Sequence, residues 1–85
     1  MSKTYGLKGI FRDQLLKNIN RFLDSELTGR EKTIIIERYG LYDGVVHTQQ
    51  ELADREGVSK ARIRQIEAKA IEKLKLMGII KKPKI

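Results

Sequence analysis

Residues 48–76, TQQELADREGVSKARIRQIEAKAIEKLKL, contain two helix starts separated by little more than a glycine turn, a spacing that leaves the chain few ways to fold. Thr48 followed three residues later by Glu51 is a capping box: the hydroxyl and the carboxylate each take an otherwise unpaired backbone N–H. Leu52 and Ala53 supply apolar points, and Gly57 can adopt the left-handed conformation that ends a helix. Ser59 offers a second N-cap, and Ile63, Ile66, Ala70 and Leu74 then recur at the spacing of one helical face. A short helix, a glycine turn and a longer helix bearing Lys60, Arg62, Arg64 and Gln65 make a helix-turn-helix over 48–76. The second helix of such a unit enters the DNA major groove and meets base edges with its N-terminal residues.

Charge agrees with that reading through its placement. The net charge is +7, yet residues 1–59 balance nine basic side chains against nine acidic ones. Residues 60–85 hold nine basic groups against Glu67 and Glu72, so they account for the whole excess. A lysine-rich solvated helix would also look like this; coincidence with a helix-turn-helix favours nucleic acid. Cysteine is absent, which excludes disulfides and thiolate metal sites, and one histidine builds neither a metal site nor a triad. No nucleophile–base pair, carboxylate constellation or phosphate-binding glycine loop suggests an enzyme. No cofactor is expected. No apolar run approaches the ~20 residues of a membrane span, so a cytoplasmic protein without membrane contact is expected.

The fold is predicted to be all-α: one small four-helix domain over 1–85, ending in the helix-turn-helix and lacking a wing. An amphipathic helix is predicted over 10–24, with Phe11, Leu15, Ile19 and Phe22 on one stripe and Leu16 and Leu23 widening it. Its apolar face can cover the core, bind a partner or lie on a membrane, the first being the commonest use. Thr28 with Glu31 is another capping box, starting a helix near Gly29 that stops at Tyr39-Gly40. Its Ile34, Ile35 and Ile36 span too much of the circumference for one stripe, so contacts are expected with both the first helix and the helix-turn-helix. Tyr42-Asp43-Gly44 reads as a turn, and His47, beside the Thr48 cap, as structural or solvated. Residues 1–8 read as a loose lead-in. After a Gly78 cap, residues 78–85 read as a frayed basic tail, helix being forbidden at Pro83, with Lys81, Lys82 and Lys84 available to phosphates.

The order LTGREKTIIIERYGL, short loop, TQQELADREGVSKARIRQIEAKAIEKL resembles region 4 of the sigma-70 family of bacterial initiation factors, over residues 27–76. LuxR-type regulators share the leucine-threonine-x-arginine-glutamate opening, but their recognition helix does not resemble RIRQIEAKA. The resemblance implies readout of a −35-type promoter element in the major groove. By position it assigns Lys60, Ala61, Arg62, Arg64 and Gln65 to bases and neighbouring phosphates. It assigns Arg30, Arg38, Thr48 and Gln49 to the DNA backbone, with Ser59 and Lys69 placed to join them. Arg38 can equally pair with a nearby acid, and Arg62 can be a solvated charge. The family also docks on the flap tip of the polymerase β subunit, which points to Phe11, Leu15, Ile19, Phe22 and Ile35 as polymerase-contacting residues.

Two departures stand out. The family commonly carries arginine-glutamate where this chain has Lys60-Ala61. A glutamate there accepts from cytosine N4, whereas alanine offers only a methyl, and lysine lacks the arginine fork. Complete sigma factors also carry regions that bind the polymerase clamp and melt the −10 element, so a partner protein supplying the −10 function is expected. Met1 and the distinct tail fit an entire small protein, bacterial or phage-encoded and nucleoid-associated. The expected function is a small sigma-like transcription factor that binds promoter DNA and contacts RNA polymerase. The alternatives are a flap-binding modulator or decoy, and a dimeric helix-turn-helix repressor.

Overall fold

The computed structural model describes residues 6–81. Its described residues form helices and turns only: α1 (Gly6–Lys17), α2 (Ile19–Leu23), α3 (Gly29–Tyr39), α4 (Gln49–Glu56) and α5 (Lys60–Leu76). The all-α expectation holds, but the first predicted helix starts earlier and is two helices. Asn18 sits between them at φ −117° and ψ 31°, outside helical geometry. Its side-chain amide donates to the Gln14 carbonyl at 2.9 Å, competing with the backbone for that acceptor. The chain bends there, and the apolar stripe continues around the bend.

The core has two parts, and the isoleucine triplet of α3 lies between them. Ile34 packs with Leu52, Ala53, Ile63 and Ile66 under the helix-turn-helix. Ile35 belongs to a larger cluster that joins Phe11, Leu15 and Phe22 to Leu74, Ile79 and Ile80, with Ile36 against its edge. Adjacent helical residues point about 100° apart, so one triplet can serve both sides of its helix, as expected above.

The segment after α5 overturns the expectation of a frayed tail over its described part. Gly78, at φ +74°, takes the left-handed conformation. Its N–H donates to Lys75 O at 3.0 Å, and that of Ile79 to Leu74 O at 3.0 Å, a Schellman closure of the helix. The turn drives Ile79 and Ile80 into the core, 1% and 0% exposed. Gln14 then clasps Lys81 through both main-chain groups, accepting from its N–H at 2.8 Å and donating to its carbonyl at 3.1 Å. Residues 1–5 of the expected lead-in, and Lys82, Pro83, Lys84 and Ile85 of the expected tail, lie outside the described residues.

This closure also corrects the proposed polymerase contacts. Phe11, Leu15, Phe22 and Ile35 are buried in the core, and Ile19 is half-buried against it. Side chains consumed by intramolecular packing do not present a docking face. Among the described side chains, the exposed large apolar ones on α1 and α2 are instead Leu16 and Leu23.

Candidate nucleic-acid interface

The helix-turn-helix is assembled by local rules. Thr48 Oγ1 accepts from Glu51 N–H at 3.0 Å, and Glu51 Oε1 accepts from Thr48 N–H at 2.8 Å, completing the capping box. At the other end of α4, Gly57 adopts φ +72°. Val58 N–H donates back to Ala53 O at 3.1 Å, which turns the chain sharply. Ser59 Oγ then accepts from Arg62 N–H at 3.0 Å, leaving Lys60 and Ala61 N–H at the open first turn of α5. Leu52, Ala53, Ile63 and Ile66 close the angle between the helices with apolar contact. Both helix starts thereby aim free N–H groups and a positive dipole end outward, where phosphate would be attracted.

A polar clamp fixes the rotation of α5. Glu67 Oε1 accepts from Arg38 Nε at 2.8 Å and from Gln49 Nε2 at 3.0 Å. Arg38 also donates through Nη1 to His47 O at 2.9 Å. One carboxylate therefore ties α5 to α3, to the first residue of α4 and to the loop between those helices. Arg38 and Glu67 side chains are each only 14% exposed. Arg38 thus pairs with a nearby acid, the alternative left open by the sequence, and is mostly buried. Sequence reasoning noted Glu67 only as a charge; an acid inside an otherwise basic segment was the available signal. Farther along α5, Lys73 Nζ donates to both oxygens of Glu31, at 2.9 and 3.1 Å. Burial alone would raise the Glu31 pKa, but the Lys73 hydrogen bond, the Thr28 N–H and the charges of Lys73 and Lys69 hold it below the ordinary carboxylate value. Burial, with the nearby Glu67 charge, pushes the Tyr39 phenol up to about 12, so it stays protonated around neutral pH.

Most of the described cations outside α5 are held by the fold, Lys17 and Lys81 being the exposed exceptions. Arg12 and Arg21 hold main-chain carbonyls, as does Lys32; Arg38, Arg55 and Lys73 hold carboxylates. Arg30, nearly half exposed, keeps a looser 3.6 Å contact with Glu56. By contrast, Lys60, Arg62, Arg64, Gln65 and Lys69 are all exposed, and their side chains have no hydrogen-bond or ion-pair partner among the described residues. At ~3.6 residues per turn, Ala61 and Ala68 occupy the line opposite Ile63, Ile66 and Ala70, with Arg64 and Gln65 on either side of it. Arg62, Gln65 and Lys69 share one cleft with Thr28 and Arg30 at the start of α3. Arg64, Ala68 and Lys75 share another with Gln49 at the start of α4. Lys60, Ala61, Arg62, Arg64 and Gln65 are all exposed on the first turns of α5, with Ala61 near the middle of the solvent side and Lys60 and Arg62 toward its two edges. Thr48, Gln49 and Ser59 already serve the fold through the hydrogen bonds given above. No described helix is long and apolar enough to cross a membrane.

Comparison with known proteins agrees with this architecture. Residues 25–76 match the family described as sigma-70, region 4. The chain is 45% identical over 54 residues to RNA polymerase sigma factor SigA4 of Synechococcus elongatus, covering 64% of this chain and 17% of that protein. It is 41% identical over 66 residues to RNA polymerase sigma factor sigB of Arabidopsis thaliana, covering 78% and 11%. With RNA polymerase sigma factor SigA of Lactococcus lactis subsp. cremoris the identity is 43% over 61 residues, covering 72% and 16%. The chain thus spans between about a tenth and a sixth of the length of these relatives. No solved structure matches it. A capped helix-turn-helix, a basic recognition face and a match over most of the chain together place this protein in the sigma-70 region 4 family, whose members are DNA-binding transcription domains of RNA polymerase sigma factors and not enzymes.

Proposed function

We propose that this chain reads a −35-type promoter element by laying the N-terminal half of α5 in the major groove while holding RNA polymerase. The observation that carries the proposal is the clustering of uncommitted cations on α5: most cations elsewhere are engaged by the protein's own carbonyls and carboxylates, Lys17 and Lys81 excepted, whereas Lys60, Arg62, Arg64 and Lys69 are not. Arg64 and Gln65 flank the midline and are placed to reach base edges. Arg30, Lys69 and the capped starts of α4 and α5 fit the phosphates on either side. The polymerase contact, by family resemblance the β flap tip, falls to the outer side of α1 and α2, where Leu16 and Leu23 are exposed. A separate protein supplying the −10 function would complete an initiation factor.

The test is equilibrium binding of the full chain to duplexes selected from a random pool, with and without core polymerase. Arg64→Ala or Gln65→Ala should each cost ~1–3 kcal/mol on the best duplex and relax preference at one position. Lys69→Ala should weaken every duplex alike. If about four to six phosphates are contacted, log K against log salt should slope at roughly −4 to −5. A salt-independent affinity would remove DNA as the ligand. Polymerase binding without DNA preference would indicate a flap decoy, and tight autonomous binding as a dimer would indicate a repressor.

A further inference from the structure

Over the first two turns of α5 the midline of the recognition face carries no long side chain, Glu72 coming a further turn beyond Ala68. Ala61 and Ala68, two helical turns apart, are exposed on the line opposite the buried Ile63, Ile66 and Ala70. Nothing on that line between them holds the helix away from a groove floor. Ala61 is the second residue of α5, in the first turn that a recognition helix pushes deepest. Ser59 caps that turn, and Glu67 fixes the helix rotation through Arg38 and Gln49, so the Ala61 methyl has a defined direction. A methyl has one complementary feature in the major groove, the C5-methyl of thymine; the other base pairs present donors and acceptors that alanine leaves unpaired. We propose that Ala61 is a specificity-determining residue that selects thymine through methyl–methyl contact, with the bare midline at Ala68 allowing the close approach this needs. The inference rests on the promoter-reading function proposed above.

The experiment is a thymine-to-uracil scan of the preferred duplex, which removes one C5-methyl at a time and leaves the hydrogen-bonding edge unchanged. The chain should lose about fourfold in affinity at one thymine, the value expected for one buried carbon. Ala61→Gly should bind the unmodified duplex with a similar loss and be indifferent to uracil at that position. Ala61 is exposed and early in the helix, so circular dichroism can verify that the variant is folded. Replacing the same thymine by 5-methylcytosine should retain more affinity than replacing it by cytosine. A scan without effect at any position, or an Ala61→Gly protein with undiminished uracil sensitivity, overturns the assignment and leaves promoter reading standing. Failure to prefer any duplex over the starting pool overturns both.

Discussion

Glu67 shows how one side chain can decide what its neighbours are available for. By accepting from Arg38 and Gln49 it converts one apparent DNA ligand into a strut and partly occupies another. Glu67→Ala would leave the Arg38 guanidinium largely buried with only the His47 carbonyl, and should destabilise the fold by about 2–3 kcal/mol. DNA affinity should fall on all duplexes alike, because the face is loosened and not edited. Urea denaturation gives the first quantity; an unchanged midpoint would mean that water takes over from the carboxylate. The buried Glu31 has a different signature, in pH. Its folded pKa is depressed. Its contribution is therefore complete above the unfolded value, about 4.3, and is lost as pH falls through the lower folded value. Glu31→Gln should cost about 1–2 kcal/mol at pH 7, and the difference should shrink as the wild-type carboxyl protonates in acid. Should the gap survive undiminished after full protonation, the geometry of the cap and not the charge is responsible.

At the scale of elements, the segments whose cause is local were legible in the sequence. The starts of α3, α4 and α5 follow from Thr28, Thr48 and Ser59, and their observed caps use those hydroxyls. Glycine stops were legible as well, but their burdens differ. Gly40 sits at φ +59°, and an added Cβ there would come within 2.8 Å of the Gly44 backbone; at Gly57 the same atom would meet nothing within 4 Å. Gly57→Ala should cost only the left-handed strain, about 1–2 kcal/mol. Gly40→Ala should cost distinctly more, and thermal melts of the two variants would rank them. The break at Asn18 and the inward turn after Gly78 were not legible, because both involve partners far away in sequence: Asn18, besides its local bond to Gln14, reaches the Ile79 carbonyl, and Lys81 is held by Gln14. Lysine-rich composition masked Ile79 and Ile80. Ile80→Ala should cost about 2–5 kcal/mol, as for a large-to-small change in a closed core. Near-wild-type stability in that variant would mean that the segment can leave the core at little cost.

For the whole molecule, the exposed basic side of α5 was legible because it is a surface defined by helix period and charge. The use of α1 was not, because an amphipathic stripe does not say whether it meets a stranger or its own chain. The observed core settles that, and it joins the beginning of the described chain to its end. The cluster under the helix-turn-helix draws only on residues 34–66, whereas the larger one needs both Phe11 and Ile80. A polypeptide is made from its N-terminus onward, so α1 must wait until Ile79 and Ile80 have been made before its own core can close. Synthesis therefore runs against the usual order in which early segments settle first. The helix-turn-helix half can consolidate while α1 is still without its partners, and α1 and the segment after α5 then seal together in one late event. Pulse-labelled hydrogen exchange during refolding should find amides of α4 and the first half of α5 protected before those of α1. Simultaneous protection would mean that the two halves of the core form as one cooperative unit.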